Sequence, residues 1–119
     1  MVDFKQKEKY DINDLLEIMR LLRAPGGCPW DAQQTHMSIR KNLIEETYEV
    51  IEAIDKDDKE LMTEELGDLL MQVVFHAQME QEAGNFDFGD VTDGVCKKLI
   101  ERHPHVFGEV EVSGVGDVL

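Results

Sequence analysis

The hydrophobic positions of this chain repeat with the period of an α-helix in four segments. Within each segment apolar side chains recur three or four positions apart, as they do on one face of an amphipathic helix. Runs of Gly, Pro or acidic residues, which end helices, separate the segments. The four predicted helices cover residues 11–24, 38–54, 59–82 and 89–102. Because strand patterns are nearly absent, we expect an all-α fold, a bundle of about four helices in a single domain.

The predicted third helix, 59–82, is apolar on almost every side, as expected for a helix in the middle of a bundle. Three other short helices are too few to enclose it within one chain of 119 residues. We therefore expect a homodimer, or a higher homo-oligomer, that completes the bundle. Asp68 lies on the same side of this helix as Leu61, Phe75 and Met79. An ionised carboxylate in such surroundings is costly unless a cation meets it.

Further carboxylates on the second and third helices are spaced to form a shared site with Asp68. Glu46 and Glu49 are three positions apart, as are Glu65 and Asp68, so each pair projects from one face of its helix. The break at 55–58 is short, which makes the two helices antiparallel neighbours. We therefore expect the two pairs to face each other across the helix interface.

Carboxylates that converge in a partly dry groove are either protonated or joined by metal ions. Their hard oxygens suit Mg²⁺ or Mn²⁺ better than zinc, and a di-iron site would need Glu-x-x-His pairs that this chain lacks. A zinc site built on His103 and His105 finds no ligand partner at a convincing spacing. The alternative is an acidic face exposed to solvent, but the apolar neighbours of Asp68 favour a metal site.

Composition excludes several classes of function. The chain has 26 acidic and 12 basic residues and a formal net charge of −14, which would repel nucleic-acid polymers. No apolar run approaches membrane length, and two cysteines are too few for a disulfide framework, so we expect a cytoplasmic protein. Lys98 and Arg102 form a small basic cluster four positions apart. They could neutralise substrate phosphates, or they could complement the dipole at a helix C-terminus.

Five blocks of sequence, in order along the chain, resemble the MazG family of nucleotide pyrophosphohydrolases. They are CPWDAQQTH, IEETYEVIEAI, EELGDLLMQVVFHAQM, FDFGDV and ERHPHVFGEV. The resemblance covers about residues 10–110 and implies an all-α, dimeric enzyme that uses Mg²⁺ to cleave nucleoside triphosphates to monophosphate and pyrophosphate. Nothing in the sequence specifies the base or the sugar, and the clearing of unwanted nucleotides is the expected role.

The resemblance also assigns roles to individual positions. It implies metal ligands at Glu46, Glu49, Glu65 and Asp68, catalytic roles for Glu45 and Glu49, and substrate contacts from Asn42, Lys98 and Arg102. Family members usually continue into another helix, so the tail 111–119 suggests a truncated chain or one domain of a tandem or fused protein. Two alternatives follow: a regulatory domain that binds nucleotide or metal without turnover, and an interaction module whose acidic helices only dimerise.

Overall fold

Six α-helices, four of them long, make up the part of the chain that this computed structural model describes, residues 1–108. In chain order the helices are α1 Ile12–Arg23, α2 Pro29–Ala32, α3 His36–Asp55, α4 Lys59–Glu82, α5 Phe88–Arg102 and α6 Pro104–Phe107. The described residues contain no strand, and the prediction of an all-α fold with four main helices is confirmed. The predicted tail, 111–119, lies outside the described residues. Within residues 1–108 no helix combines the length and the apolarity needed to cross a lipid bilayer.

Side chains that cap the first turn determine where the long helices begin. The Thr35 hydroxyl accepts a hydrogen bond from the Ser38 backbone N–H, and the Ser38 hydroxyl accepts one from the Thr35 N–H. This reciprocal box satisfies two N–H groups that the first turn leaves without partners. It starts α3 at His36, two residues before the predicted start, because Ser38 is the third helical residue and not the cap.

The two shortest helices lie outside the four helices predicted from the sequence. Pro29 and Pro104 each occupy the first position of a four-residue helix. Proline lacks the N–H that this position would leave unpaired, and its fixed φ angle already suits a helix, so it begins helices as readily as it interrupts them. These two helices were not predicted, because the sequence analysis treated Gly and Pro runs only as the ends of helices.

Helices α3 and α4 form an antiparallel hairpin, the most extensive helix pair of the structure. The turn at 56–58 is three residues long, and Asp57 in it adopts a left-handed backbone with φ 50°. Asp58 then caps α4 by accepting a hydrogen bond from the Leu61 N–H. The short turn places residues near the end of α3 opposite residues near the start of α4, as predicted.

Only the second half of α4 is enclosed within one chain. The core consists of Met19 from α1, Ile39 from α3, and Val74, Phe75 and Met79 from α4. In its first half and at its middle, α4 instead leaves several apolar side chains more than a third exposed: Leu66, Leu70, Met71 and Val73. Every residue of α5 after its first is exposed as well. The helix predicted to be central therefore has one uncovered side, in the half that carries the acidic residues.

Candidate metal centre

Three carboxylates meet at the interface of α3 and α4. Glu46 comes from α3, and Glu65 and Asp68 come from the first half of α4. One oxygen atom of each lies within 4.8 Å of an oxygen of the other two. All three side chains are partly buried, because the two helices pack side by side at this level. The i,i+3 spacing on α4 and the short turn before it together produce this arrangement.

The charges of this cluster repel one another. The pKa of Glu46 is raised above its usual value, first by partial desolvation and then by the negative charges of Asp68 and Glu49. The pKa of Glu65 is raised by the same causes in the same order. Within residues 1–108 no Lys, Arg or His forms an ion pair with any of these three carboxylates. The partners of Asp68 in this chain are therefore other acids, which leaves the cluster short of positive charge.

The cluster fits a hard divalent cation. Ligand oxygens around an octahedral Mg²⁺ ion lie about 3–4 Å apart, a spread that the three carboxylates can meet. A donor set made only of carboxylate oxygens also suits Mg²⁺ or Mn²⁺ rather than zinc. In the described part of the chain, this is the one group of three or more His, Cys, Asp or Glu ligand atoms close enough to share an ion.

The other acidic residues predicted for the site lie at its edge. Glu49 is one turn beyond Glu46 on α3 and is exposed, and its charge acts on both Glu46 and Glu65. Glu45 is exposed beside Glu46 and also raises the pKa of that residue. Asn42 lies one turn before Glu46, exposed and without a side-chain hydrogen bond to the described residues. These positions are open to solvent, where a substrate could reach them.

The structure does not bring Lys98 and Arg102 to the carboxylates. Both lie on α5, which packs against α4 and α6 but makes no contact with α3 within residues 1–108. Both are exposed, and neither contributes to the shifted pKa values of Glu46 and Glu65. Within a single chain the predicted phosphate-binding pair and the predicted metal ligands therefore remain apart.

Polar side chains one turn apart form a stripe along α4 that was not predicted from the sequence. Gln72 is 4% exposed, and its side-chain oxygen has no hydrogen-bond partner among the described residues. One and two turns further on, His76 and Glu80 lie in a hydrogen-bonded group with His36 of α3. The i,i+4 spacing from Asp68 through Gln72 and His76 to Glu80 was the available signal. This spacing was not recognised because most residues of the helix are apolar.

Comparison with known proteins identifies the family. Residues 34–107 match the family described as MazG nucleotide pyrophosphohydrolase domain. The chain belongs to this family. The matched segment contains α3, α4 and α5 and therefore all the residues of the candidate metal centre.

Several curated MazG relatives align over most of this chain. The nucleoside triphosphate pyrophosphohydrolase/pyrophosphatase MazG of Thermotoga maritima is 56% identical over 96 residues, which cover 81% of this chain and 38% of that protein. The nucleoside triphosphate pyrophosphohydrolase of Escherichia coli K12 is 50% identical over 109 residues, 91% of this chain and 41% of that protein. The uncharacterized protein YabN of Bacillus subtilis is 48% identical over 110 residues, 92% of this chain and 22% of that protein. The chain thus spans less than half the length of these relatives.

A solved MazG structure has the same fold. The crystal structure of a mazG-related protein from Thermotoga maritima superimposes with a TM-score of 0.71 at 31% sequence identity. The superposition covers 89% of this chain and 90% of that one. The helical arrangement described above is therefore that of a MazG-related protein along nearly all of its length.

Proposed function

We propose that this chain is a Mg²⁺-dependent hydrolase that converts nucleoside triphosphates to monophosphate and pyrophosphate. The observation that carries the proposal is the carboxylate cluster of Glu46, Glu65 and Asp68, which has no cationic partner among residues 1–108, in a chain of the MazG family. The names of the relatives from Thermotoga maritima and Escherichia coli agree with this activity. A role in clearing unwanted nucleotides from the cytoplasm is part of the proposal.

Four carboxylates, those of Glu46, Glu49, Glu65 and Asp68, would hold the metal. Bound Mg²⁺ would neutralise the acidic pocket and the triphosphate and would stabilise the negative charge that develops in the transition state. Mn²⁺ could replace it, because both ions prefer oxygen ligands.

The exposed glutamates of α3 would supply the base. Glu49, or Glu45 beside the cluster, accepts a proton from the attacking water. The water oxygen then bonds to the α-phosphorus, and the bond from that phosphorus to the bridging oxygen breaks. Pyrophosphate leaves with the electron pair of that bond. The choice of the α-phosphorus follows from the products expected for the family.

A second copy of the chain would complete the site and the core. Apolar side chains on three helices are exposed to solvent, and a stable dimer would cover about 800 Å² on each partner. The exposed apolar residues include Ile44, Tyr48 and Ile51 of α3, Leu66 and Leu70 of α4, and Val95 and Leu99 of α5. Lys98 and Arg102 lie on the same α5 surface and, in a dimer, could contact phosphates held at the partner's carboxylates.

A second candidate is a regulatory domain that binds nucleotide or metal without turnover. It is favoured by one observation: the chain matches only a part of each longer relative, and one of these is uncharacterized. Both candidates require metal binding at the same carboxylates. Turnover alone separates them.

Incubation with a panel of nucleoside triphosphates tests the proposal. With Mg²⁺ the products should be monophosphate and pyrophosphate, and chelation should abolish their formation. Glu65→Gln should abolish turnover, whereas Glu60→Gln, which removes the same charge from an exposed position of α4, should leave it intact. Formation of diphosphate and inorganic phosphate would contradict the assigned cleavage site. Metal binding without any product would favour the regulatory domain.

A further inference from the structure

A histidine pair outside the metal centre joins the start of α3 to α4. His36 is the first residue of α3, and its Nδ1 lies 2.7 Å from Nδ1 of His76 on α4. The ring planes differ by 3°, and the ring centres are 5.0 Å apart. The distance between the ring centres equals the Nδ1–Nδ1 distance plus the distance from each nitrogen to the centre of its own ring. The two nitrogens therefore lie on the line that joins the ring centres, and the rings lie edge to edge in one plane. A contact of this kind is an in-plane hydrogen bond that contains a single proton.

A carboxylate contacts His36 on the side of its ring that faces away from His76, and this contact fixes where the ring carries its proton. Nε2 of His36 lies 2.8 Å from Oε1 of Glu80, and the other oxygen of Glu80 accepts a hydrogen bond from the Asn85 amide at 2.8 Å. The bond from Asn85 and then the bond from His36 lower the pKa of Glu80, so Glu80 stays ionised and acts only as an acceptor. Nε2 of His36 must therefore carry a proton.

On the side of the His76 ring that faces away from His36, no acceptor from residues 1–108 is available for the N–H that a further proton would form. Nε2 of His76 is buried and has no hydrogen-bond partner among the described residues. With one proton between the rings and one on His36 Nε2, both rings are neutral and His76 Nε2 is bare. An added proton has two possible positions. On His76 Nε2 it forms a buried N–H without an acceptor, and between the rings it brings two N–H groups into contact. Both results are costly.

The charges around the pair do not remove this restriction. On α3 the next basic residue, Arg40, is exposed one turn away. From α1 the guanidinium of Arg23 reaches α4, but Glu82 holds it and it lies over the Phe75 ring. The oxygen of Gln72, one turn before His76, is an unpartnered acceptor that makes no bond to the ring in this arrangement. An added proton on His76 Nε2 would meet that oxygen only after a rearrangement of the side chains.

We infer that His36 and His76 form an acid-sensitive latch: the neutral pair holds the start of α3 on α4, and uptake of one proton breaks that contact. Burial lowers the pKa of His76, and the positive charge of a protonated His36 would lower it further, which agrees with this behaviour. The latch lies about 12 Å along α4 from Asp68, at a rise of 1.5 Å per residue. Acidification would therefore loosen the helix pair that brings the carboxylates together. The latch does not depend on the proposed hydrolase activity.

Denaturation by urea in chelator tests the latch, with midpoints measured between about pH 8 and about pH 5.5. His76→Asn keeps a polar group near the Nδ1 position but cannot take up a proton. Because His76 resists protonation when folded, wild type should lose more stability than His76→Asn as the pH falls. The shifted carboxylates Glu46 and Glu65 are common to both proteins and cancel in this comparison. The control His103→Asn, at the end of α5, should follow the pH dependence of wild type. Parallel curves for wild type and His76→Asn would overturn the latch.

A second measurement needs no variant. Nitrogen–proton NMR spectra of the wild-type histidine rings near pH 8 should show the proton of His36 on Nε2 and that of His76 on Nδ1. On acidification the His76 Nδ1–H resonance should disappear, because the added proton breaks the bond between the rings, whereas Nε2 of His36 keeps its proton and its contact with Glu80. A His76 ring that carries its proton on Nε2 at high pH, or two rings that titrate independently, would overturn the inference.

Discussion

At the scale of single residues, partial burial and mutual repulsion of the carboxylates destabilise the candidate metal centre. Glu46 and Glu65 keep raised pKa values because partial burial and neighbouring acids disfavour their charged forms. The spacing of these glutamates and of Asp68 predicted from the sequence that carboxylates of the two antiparallel helices converge, although Glu49 of the first pair lies exposed at the edge of the cluster. The link between His36 and His76 could not be predicted in this way. The two residues lie forty positions apart, and no local pattern fixes how their rings meet.

The raised pKa of Glu65 predicts how Glu65→Gln affects stability in chelator. Between the usual value of 4.5 and the raised pKa, the folded protein holds a proton that the unfolded chain releases. Wild type therefore loses stability, relative to the variant, as the pH rises through this window. At neutral pH the variant should melt at a higher temperature than wild type, and the advantage should vanish below about pH 4.5.

Thermal melts of both proteins and of Glu60→Gln across this pH range test the prediction. The Glu60 substitution should give no comparable gain, because that residue lies outside the cluster. A Glu65→Gln protein that melts below wild type at neutral pH would mean that the ionised carboxylate holds the helices together.

At the scale of helices, periodicity located the four long elements to within two residues at each end. Capping residues and Gly or Pro runs mark these ends chemically, which is why the sequence could reveal them. The two four-residue helices were missed because each is one turn long and contains no hydrophobic period. A long-range contact holds the first of them: Arg23 of α1 donates to the Asp31 and Gln34 carbonyls and, through two nitrogens, to Glu82 of α4.

This contact predicts that Arg23→Ala is among the more destabilising substitutions. The Arg23 side chain is 8% exposed, and its loss leaves two backbone carbonyls and one carboxylate without their donor. The expected cost is about 2–3 kcal/mol, with a small contribution from Glu82, which is partly exposed to solvent. Urea denaturation measures the loss.

The matched control for Arg23 is Arg20→Ala, three positions earlier on the same helix. Among residues 1–108 Arg20 pairs only with Glu17, and both side chains are well exposed, so its removal should cost less than about 1 kcal/mol. Arg23→Lys should recover little, because an ammonium group cannot reproduce the fork of the guanidinium. Equal losses for the two arginines would contradict the role given to Arg23.

At the scale of the whole molecule, one chain leaves its acidic half uncovered. Apolar side chains on α3, α4 and α5 face solvent together, and the phosphate-binding candidates Lys98 and Arg102 are separated from the carboxylates. The sequence indicated that a single chain could not enclose α4, because the helix is apolar on nearly all sides. It could not indicate which half remained open. That depends on how α1 and α5 pack against the end of α4.

The uncovered half predicts that the protein is a dimer or larger at micromolar concentration. Val95→Glu on α5 places a charge in the expected interface and should shift the protein toward monomer in sedimentation velocity. Val2→Glu changes an exposed apolar residue outside these helices and should leave the assembly unchanged. A wild-type monomer that stays fully helical on dilution would contradict the shared core.

The central claim, that the carboxylates of α3 and α4 bind a divalent cation, is tested most directly by the melting temperature during a Mg²⁺ titration. At a hundred times the dissociation constant, binding stabilises the folded state by about 2.7 kcal/mol, so the melting temperature of wild type should rise. Asp68→Asn should melt in chelator at or above the temperature of wild type and should barely respond to Mg²⁺, whereas Glu60→Gln should respond as wild type does. An Asp68→Asn protein that melts far below wild type in chelator, or that gains as much as wild type from Mg²⁺, would contradict the claim.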